Sequence, residues 1–263
     1  MEEKPYLVDP EHYLEVSGLI DDILSRQKKL LGDKLVGVYV YGSLVSGDFD
    51  YETSDIDLMV AVSSDLSKQE LDKLKKMHDE IAHDNNKWEN KIEVAYLSID
   101  ALKTFKTQRS KIAVISPGEP FHEKEAGNDW LINWYNVREK GLTLYGPSPK
   151  TLIDPISKEE FIQGVIEQTK DWPDWIPTNH QRKFQAYAIL TMCRALYSFR
   201  NGEQVSKKQA ALWAQKQLPE WSPLIQNALL WREDWRNEQV DHEATFPETT
   251  RFVHYINDQI KEK

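Results

Sequence analysis

A Gly-Ser pair at positions 42 and 43, followed after eleven residues by Asp55-Ile56-Asp57, constrains this chain more than any other feature. Leu35-Val36-Gly37-Val38-Tyr39-Val40-Tyr41 is β-branched and aromatic and predicts a buried strand that stops at Gly42. Ser54-Asp55-Ile56-Asp57-Leu58-Met59-Val60-Ala61-Val62 predicts a second strand whose carboxylates are confined to its start. Residues i and i+2 of a strand share a face, so Asp55 and Asp57 point the same way. Two like charges that close are costly unless a cation lies between them. Mg²⁺ is such a cation, since it takes one or two protein carboxylates and fills its other positions with phosphate oxygens and water. At Gly42 the absence of a Cβ lets a ligand approach the backbone, and the Ser43 hydroxyl with neighbouring amides can bind phosphate oxygens. The pattern therefore reads as a phosphate cradle beside a divalent-cation site, a signature of nucleotide transfer.

A third carboxylate comes from the next strand-like run, Lys91-Ile92-Glu93-Val94-Ala95-Tyr96-Leu97, in which Glu93 is the only acid. If this strand pairs beside the Asp55–Asp57 strand, Glu93 can serve as general base, metal ligand or both.

The mean hydropathy of -0.62 and the lack of any apolar run long enough to cross a bilayer argue against a membrane span. The start, Met1-Glu2-Glu3-Lys4-Pro5, has no export-signal pattern, so a cytoplasmic location is expected. The single cysteine, Cys193, lies in an apolar helical context and is expected to be buried and inert. His78 and His83 are poorly spaced for a shared metal, and nothing signals zinc. The chain has 43 acidic and 33 basic residues, a net charge of -10, and no long basic run. That balance disfavours a polynucleotide acceptor and suits a cationic small molecule.

Helical periodicity is expected over 12–31, 67–83 and 128–140, with a capping box at Ser67 and Glu70. The segment 102–125 reads as helix and loop. Gly146-Pro147-Ser148-Pro149 marks the expected boundary, because two prolines and a glycine stop regular structure where strand-and-helix alternation gives way to helices. Helices are expected over 157–171, 181–200, 206–218, 222–237 and 247–261, with a second capping box at Ser157 and Glu160. Trp172, Trp175, Trp213, Trp221, Trp231 and Trp235 read mainly as packing residues.

The segment from Tyr39 to Val62 resembles the polymerase-β-type nucleotidyltransferases. The whole chain resembles the aminoglycoside adenylyltransferases of the streptomycin and spectinomycin resistance group. That wider likeness rests on Leu144-Tyr145-Gly146-Pro147, Leu190-Thr191-Met192-Cys193-Arg194, Gly202-Glu203-Gln204-Val205-Ser206-Lys207-Lys208-Gln209 and Phe252-Val253-His254-Tyr255. It implies an α+β fold: an N-terminal polymerase-β-like mixed sheet with helices over 1–148, then an all-α helical domain over 149–263 that closes on nucleotide and acceptor. It further implies that Lys207, with Lys208 as the neighbouring alternative, binds phosphate, and that Trp231 stands where the family carries a tyrosine near the nucleotide. Family members that accept streptomycin use a tryptophan before the 128–140 helix and an acid at the start of the long helix. Here those stretches read Pro117-Gly118-Glu119-Pro120-Phe121-His122 and Gln181-Arg182-Lys183-Phe184-Gln185, which argues against a streptomycin-like acceptor and leaves spectinomycin, another aminocyclitol or an unrelated hydroxyl compound open. Asp171, Asp174, Glu233 and Asp234 are acids available to a cationic ligand.

The expected activity is transfer of AMP from MgATP to a hydroxyl of an aminoglycoside or aminocyclitol. Asp55 and Asp57 hold two Mg²⁺ ions, Glu93 joins them or takes the proton, and Gly42, Ser43, Lys207 and Trp231 bind ATP. A monomer acting on small molecules is expected, with neither nucleic acid nor membrane as partner. Two alternatives stay open: a nucleotidyltransferase that modifies a protein or RNA, and a non-catalytic nucleotide- or drug-binding relative.

Overall fold

A computed structural model of the protein describes residues 6–233 and 239–261. Asp234, Trp235 and the far end of the expected 222–237 helix lie outside the described residues, as does the side chain of Glu233. The chain divides into two compact units, Met1–Pro155 and Ile156–Lys263.

The first unit runs α1 (Pro10–Leu31), β1 (Leu35–Tyr41), α2 (Ser43–Ser46), β2 (Ile56–Val62), α3 (Lys68–Asp84), β3 (Ile92–Ser98), α4 (Ile99–Thr104), β4 (Ser110–Ser116), β5 (Glu119–Ala126), α5 (Leu131–Lys140) and β6 (Leu142–Tyr145). Its six strands form one mixed sheet in the order β5-β4-β3-β2-β1-β6. Only β2 and β3 pair in parallel; the other neighbours are antiparallel. The parallel pair needs a crossover, and α3 supplies it. Ser67 and Glu70 cap that helix reciprocally.

The three central strands share one burial pattern, with a single half-buried position near the start and buried residues beyond it. Both faces of these strands are covered, so they appear in sequence as continuous apolar runs rather than as alternations. Val38, Val40, Leu58, Val60, Val94 and Tyr96 join the core cluster formed with α1 and α3. In that core Tyr96 accepts a hydrogen bond from Gln27 Nε2 at 3.0 Å and lies 2.8 Å from His78 Nε2. Burial pushes the His78 imidazole down to about 4, so the ring stays neutral.

The segment 102–125 corrects the sequence expectation. After the short α4 it forms the β4–β5 hairpin, which turns at Pro117-Gly118 and closes one edge of the sheet. The β5 residues Glu119-Pro120-Phe121-His122-Glu123-Lys124-Glu125-Ala126 are mostly charged or polar, with a proline at an edge position. Such a strand carries no apolar pattern to read, and its partner β4 supplies the reason it forms.

The second unit is helical: α6 (Lys158–Thr169), α7 (Trp172–Trp175), α8 (Arg182–Asn201), α9 (Lys207–Gln217), α10 (Ser222–Glu233) and α11 (Phe246–Lys261). Helix α8 is its axis, packed by α6, α9, α10 and α11. Ser157 with Glu160 and Ser206 with Gln209 form capping boxes, and Gly202 ends α8 in the left-handed conformation that glycine adopts without strain. Cys193 is fully buried in α8, and burial pushes its thiol upward, away from the reactive thiolate. Among the described residues, no helix is long and apolar enough to cross a membrane.

Candidate active site

The open end of the sheet is built where β1 stops and β2 and β3 start. Asp57 sits opposite Tyr41 across the antiparallel β1–β2 ladder and opposite Glu93 across the parallel β2–β3 ladder. All three therefore project from the same sheet face. Asp55 lies just before β2, two residues from Asp57. One carboxylate oxygen from each of Asp55, Asp57 and Glu93 lies within 4.8 Å of the others, and all three residues are half-buried. This is the cluster with metal-ligand spacing among the described residues.

The donor set fits Mg²⁺. Oxygens sharing one octahedral ion at about 2.1 Å stand roughly 3–4 Å apart, so small side-chain rotations close the observed spacing. The charges themselves make the same case. Glu93 is pushed up to about 7, first by burial and second by the negative charge of Asp55. The Tyr41 hydroxyl, which donates to Glu93 Oε1 at 3.4 Å, and the cation of Lys124 act the other way, while Glu119 adds to the rise. Burial and the surrounding carboxylates in turn hold Tyr41 well above its ordinary value, so its hydroxyl stays a donor.

Gly42 is required by this arrangement. Its φ is +72°, and a Cβ there would lie 1.9 Å from Asp57 Oδ2. The next residue, Ser43, opens α2, and its hydroxyl is buried with no hydrogen-bond partner among the described residues. An orphaned buried hydroxyl beside a Gly turn and three acids suits an incoming phosphate oxygen.

The structure thus brings together Gly42, Ser43, Asp55, Asp57 and Glu93 as the sequence led one to expect. Lys207 and Trp231 belong to the helical unit. Lys207 is the first residue of α9, and its Nζ lies 4.3 Å from the centre of the Tyr187 ring. Tyr187 itself packs with Trp172 and Trp175, at 5.6 and 6.2 Å between ring centres. Trp231 carries the Arg182 guanidinium over its ring at 5.0 Å. Sequence reasoning missed Tyr41, Lys124 and Glu119. Tyr41 was hidden in an apolar run, and the other two lie on the edge strand whose pattern is illegible.

Residues 19–116, which hold all five clustered residues, match the nucleotidyltransferase domain of the polymerase beta type. Residues 151–259 match the aminoglycoside adenylyltransferase C-terminal domain. The chain is a nucleotidyltransferase of the aminoglycoside adenylyltransferase type. An aminoglycoside (3'') (9) adenylyltransferase of Escherichia coli is 25% identical over 262 aligned residues, covering 94% of this chain and 95% of that protein. A spectinomycin 9-adenylyltransferase of Staphylococcus aureus is 24% identical over 253 residues, covering 89% and 91%. The crystal structure of a spectinomycin adenyltransferase from Enterococcus faecialis, solved with ATP and spectinomycin, shares the fold. Its TM-score is 0.74 at 20% identity, over 94% of this chain and 99% of that one.

Proposed function

We propose that this adenylyltransferase moves AMP from ATP, with Mg²⁺, to a hydroxyl of an aminocyclitol or aminoglycoside antibiotic, a spectinomycin-like acceptor rather than streptomycin. The observation that carries the reading is the placement of Asp57 and Glu93 opposite one another on parallel strands, with Asp55 in reach and Gly42 leaving room beside them.

In this reading Asp55 and Asp57 hold two Mg²⁺ ions. When bound, the metal polarises phosphoryl oxygens and offsets the charge of the departing pyrophosphate. Glu93, opposite Asp57 on the neighbouring parallel strand, accepts the proton of the acceptor hydroxyl. The hydroxyl oxygen forms a bond to the α-phosphorus, the bond from that phosphorus to the bridging oxygen breaks, and pyrophosphate leaves. Ser43 Oγ and the backbone at Gly42 hydrogen-bond the triphosphate. Lys207 pairs with its phosphates and Trp231 stacks on the base; both roles rest on the family resemblance.

The preference for a spectinomycin-like acceptor rests on the stretch 117–122, whose aromatic residue is Phe121 of β5. Its ring lies 5.8 Å from His78 and 6.1 Å from Tyr96, engaged with the core side of the sheet. No tryptophan stands in that stretch. The net charge of -10 favours a cationic acceptor over nucleic acid, and we place the enzyme in the cytoplasm as a monomer.

Pyrophosphate release from MgATP, measured across a panel of aminocyclitols and aminoglycosides, tests the proposal. Release that depends on spectinomycin and is absent with streptomycin is the expected result. Turnover with no member of the panel, or release only with a protein or RNA acceptor, overturns it.

A further inference from the structure

Asp57 and Glu93 are fixed by the ladders of β2 and β3, but Asp55 stands one residue outside β2 and depends on the loop 47–54 before it. That loop is closed upon itself by Asp50. Its Oδ1 accepts from the amides of Glu52 and Thr53 at 2.8 and 2.9 Å, and its own amide donates to Ser54 Oγ at 2.9 Å. These bonds shape the turn and leave open what ties it to the rest of the unit.

Tyr51 is one tie. His12 of α1 stacks on its ring with centres 3.5 Å apart and planes 2° from parallel. The Lys87 Nζ lies 3.3 Å from the same ring centre. One face cannot hold an imidazole and an ammonium at those distances, so Tyr51 is sandwiched between α1 and the turn before β3. Its hydroxyl donates to the Glu15 carboxylate, which also accepts from Trp88 Nε1 at 3.0 Å. The backbone of the loop is tied to the same place, with Lys91 Nζ donating to the Glu52 carbonyl at 2.7 Å.

We propose that Tyr51, clamped between His12 and Lys87, is a positioning residue that holds Asp55 at the metal site. The inference rests on the reading of Asp55, Asp57 and Glu93 as that site. Residues from α1, from the loop and from the turn before β3 converge on one ring, and that ring is four residues from a carboxylate the sheet does not fix. An aromatic stack on one face and a cation over the other restrain the ring, and with it the loop that carries Asp55. Releasing them leaves Asp55 among several positions, and metal affinity falls because the ligand must be ordered when the ion binds. Glu15, held below its ordinary range chiefly by the Tyr51 hydroxyl, anchors the rim of the ring.

The experiment titrates Mn²⁺ into the full-length protein with a non-hydrolysable ATP analogue and reads the free ion by electron paramagnetic resonance. Tyr51→Ala is expected to raise the Mn²⁺ dissociation constant about tenfold, while Tyr51→Phe, which keeps the sandwich, stays within about twofold of the parent. Lys87→Ala keeps the Tyr51 side chain, removes the cation from one of its faces together with the Lys87–Glu52 pair at 3.4 Å, and is expected to weaken Mn²⁺ about threefold; it keeps the test open if Tyr51→Ala fails to fold. Parent-like affinity in Lys87→Ala and in a folded Tyr51→Ala overturns the clamp, as does a Phe variant as weak as Ala. Asp57→Asn is the companion. If it abolishes Mn²⁺ binding while the Tyr51 and Lys87 variants do not alter it, the clamp alone fails. If it binds Mn²⁺ like the parent, the site assignment fails with it.

Discussion

The sheet unit and the helical unit follow local rules to different degrees. In the helical unit the chain ends follow local rules: Ser157 and Ser206 cap their helices, Gly202 ends α8, and buried Gln185 is met from several sides. Gln185 Nε2 donates to the carbonyls of His180 and His242, and its Oε1 accepts from Thr245 and Thr249. At the open end of the sheet the rules are broken together. Three half-buried carboxylates crowd one another, Asp57 Oδ2 approaches Gly42 to where a Cβ would stand, and Ser43 keeps a buried hydroxyl without a partner among the described residues. Such departures are destabilising unless a ligand satisfies them, and their concentration in one place marks where the chain interacts with something else.

If that contrast is sound, substitutions at the sheet end change chemistry more than stability, and those in the helical unit do the reverse. Asp57→Asn tests it most strongly. It keeps the shape and removes a metal-binding charge, so turnover falls by about a thousandfold or more while the melting temperature holds or rises. Near-normal pyrophosphate release from this variant breaks the comparison.

Gly42→Ala comes next. A methyl group 1.9 Å from Asp57 Oδ2, at a φ of +72°, must displace the aspartate or the backbone. Turnover is expected to fall about a hundredfold, with a stability loss of roughly 1–2 kcal/mol by chemical denaturation. A larger effect on folding than on turnover would show that Gly42 is needed for the strand end and not for the site.

Glu93→Gln probes the cost of the crowded charges. In the folded protein the Glu93 carboxyl is raised from 4.5 to about 7. Between those values the folded state keeps a proton that the unfolded chain has released, so stability falls as pH rises through that window and the deficit is complete above it. Glutamine has no such titration. The metal-free variant is therefore expected to be more stable than the parent at pH 8, by roughly 1–3 kcal/mol, with the gap shrinking towards pH 5. Melting curves in chelator at both pH values check the sign, and a variant less stable at pH 8 contradicts it. Turnover is lost in the same variant.

The smallest effect is expected on the other side of the comparison. Ser206→Ala removes the side-chain cap that accepts the Gln209 amide at 3.1 Å. It is expected to cost about 1 kcal/mol of stability with kcat changed less than about twofold. A large loss of turnover at unchanged stability would move the α9 start, Lys207 included, into the chemistry.

Much of this molecule was legible beforehand because its signals are local. The capped helices announced themselves through Ser-x-x-Glu spacing, and the central strands through apolar runs covered on both faces. The grouping of Asp55, Asp57, Gly42 and Ser43 was legible because acids at the start of one strand and a glycine-serine at the end of the strand before it form a specific combination at this spacing. The β4–β5 hairpin was not legible. Glu119 to Ala126 form a strand only because Ile112, Ala113 and Val114 offer them a ladder, and nothing in their own pattern specifies it. With that hairpin went Lys124 and Glu119, whose charges act on Glu93 from an edge that the sequence left unassigned.

By itself the sequence marked Gly42, Ser43, Asp55, Asp57 and Glu93 as candidates for one site, because residue type and i, i+2 spacing decide what a strand end can bind. Only the tertiary structure decided that β2 and β3 are parallel neighbours in a register that sets Asp57 against Glu93. It also decided that Tyr41 lies across from Asp57 with its hydroxyl on Glu93, and that Tyr51 is held between His12 and Lys87. Strand order and register are non-local: they follow from which apolar faces pack on α1 and α3, and no window of a few residues contains that information.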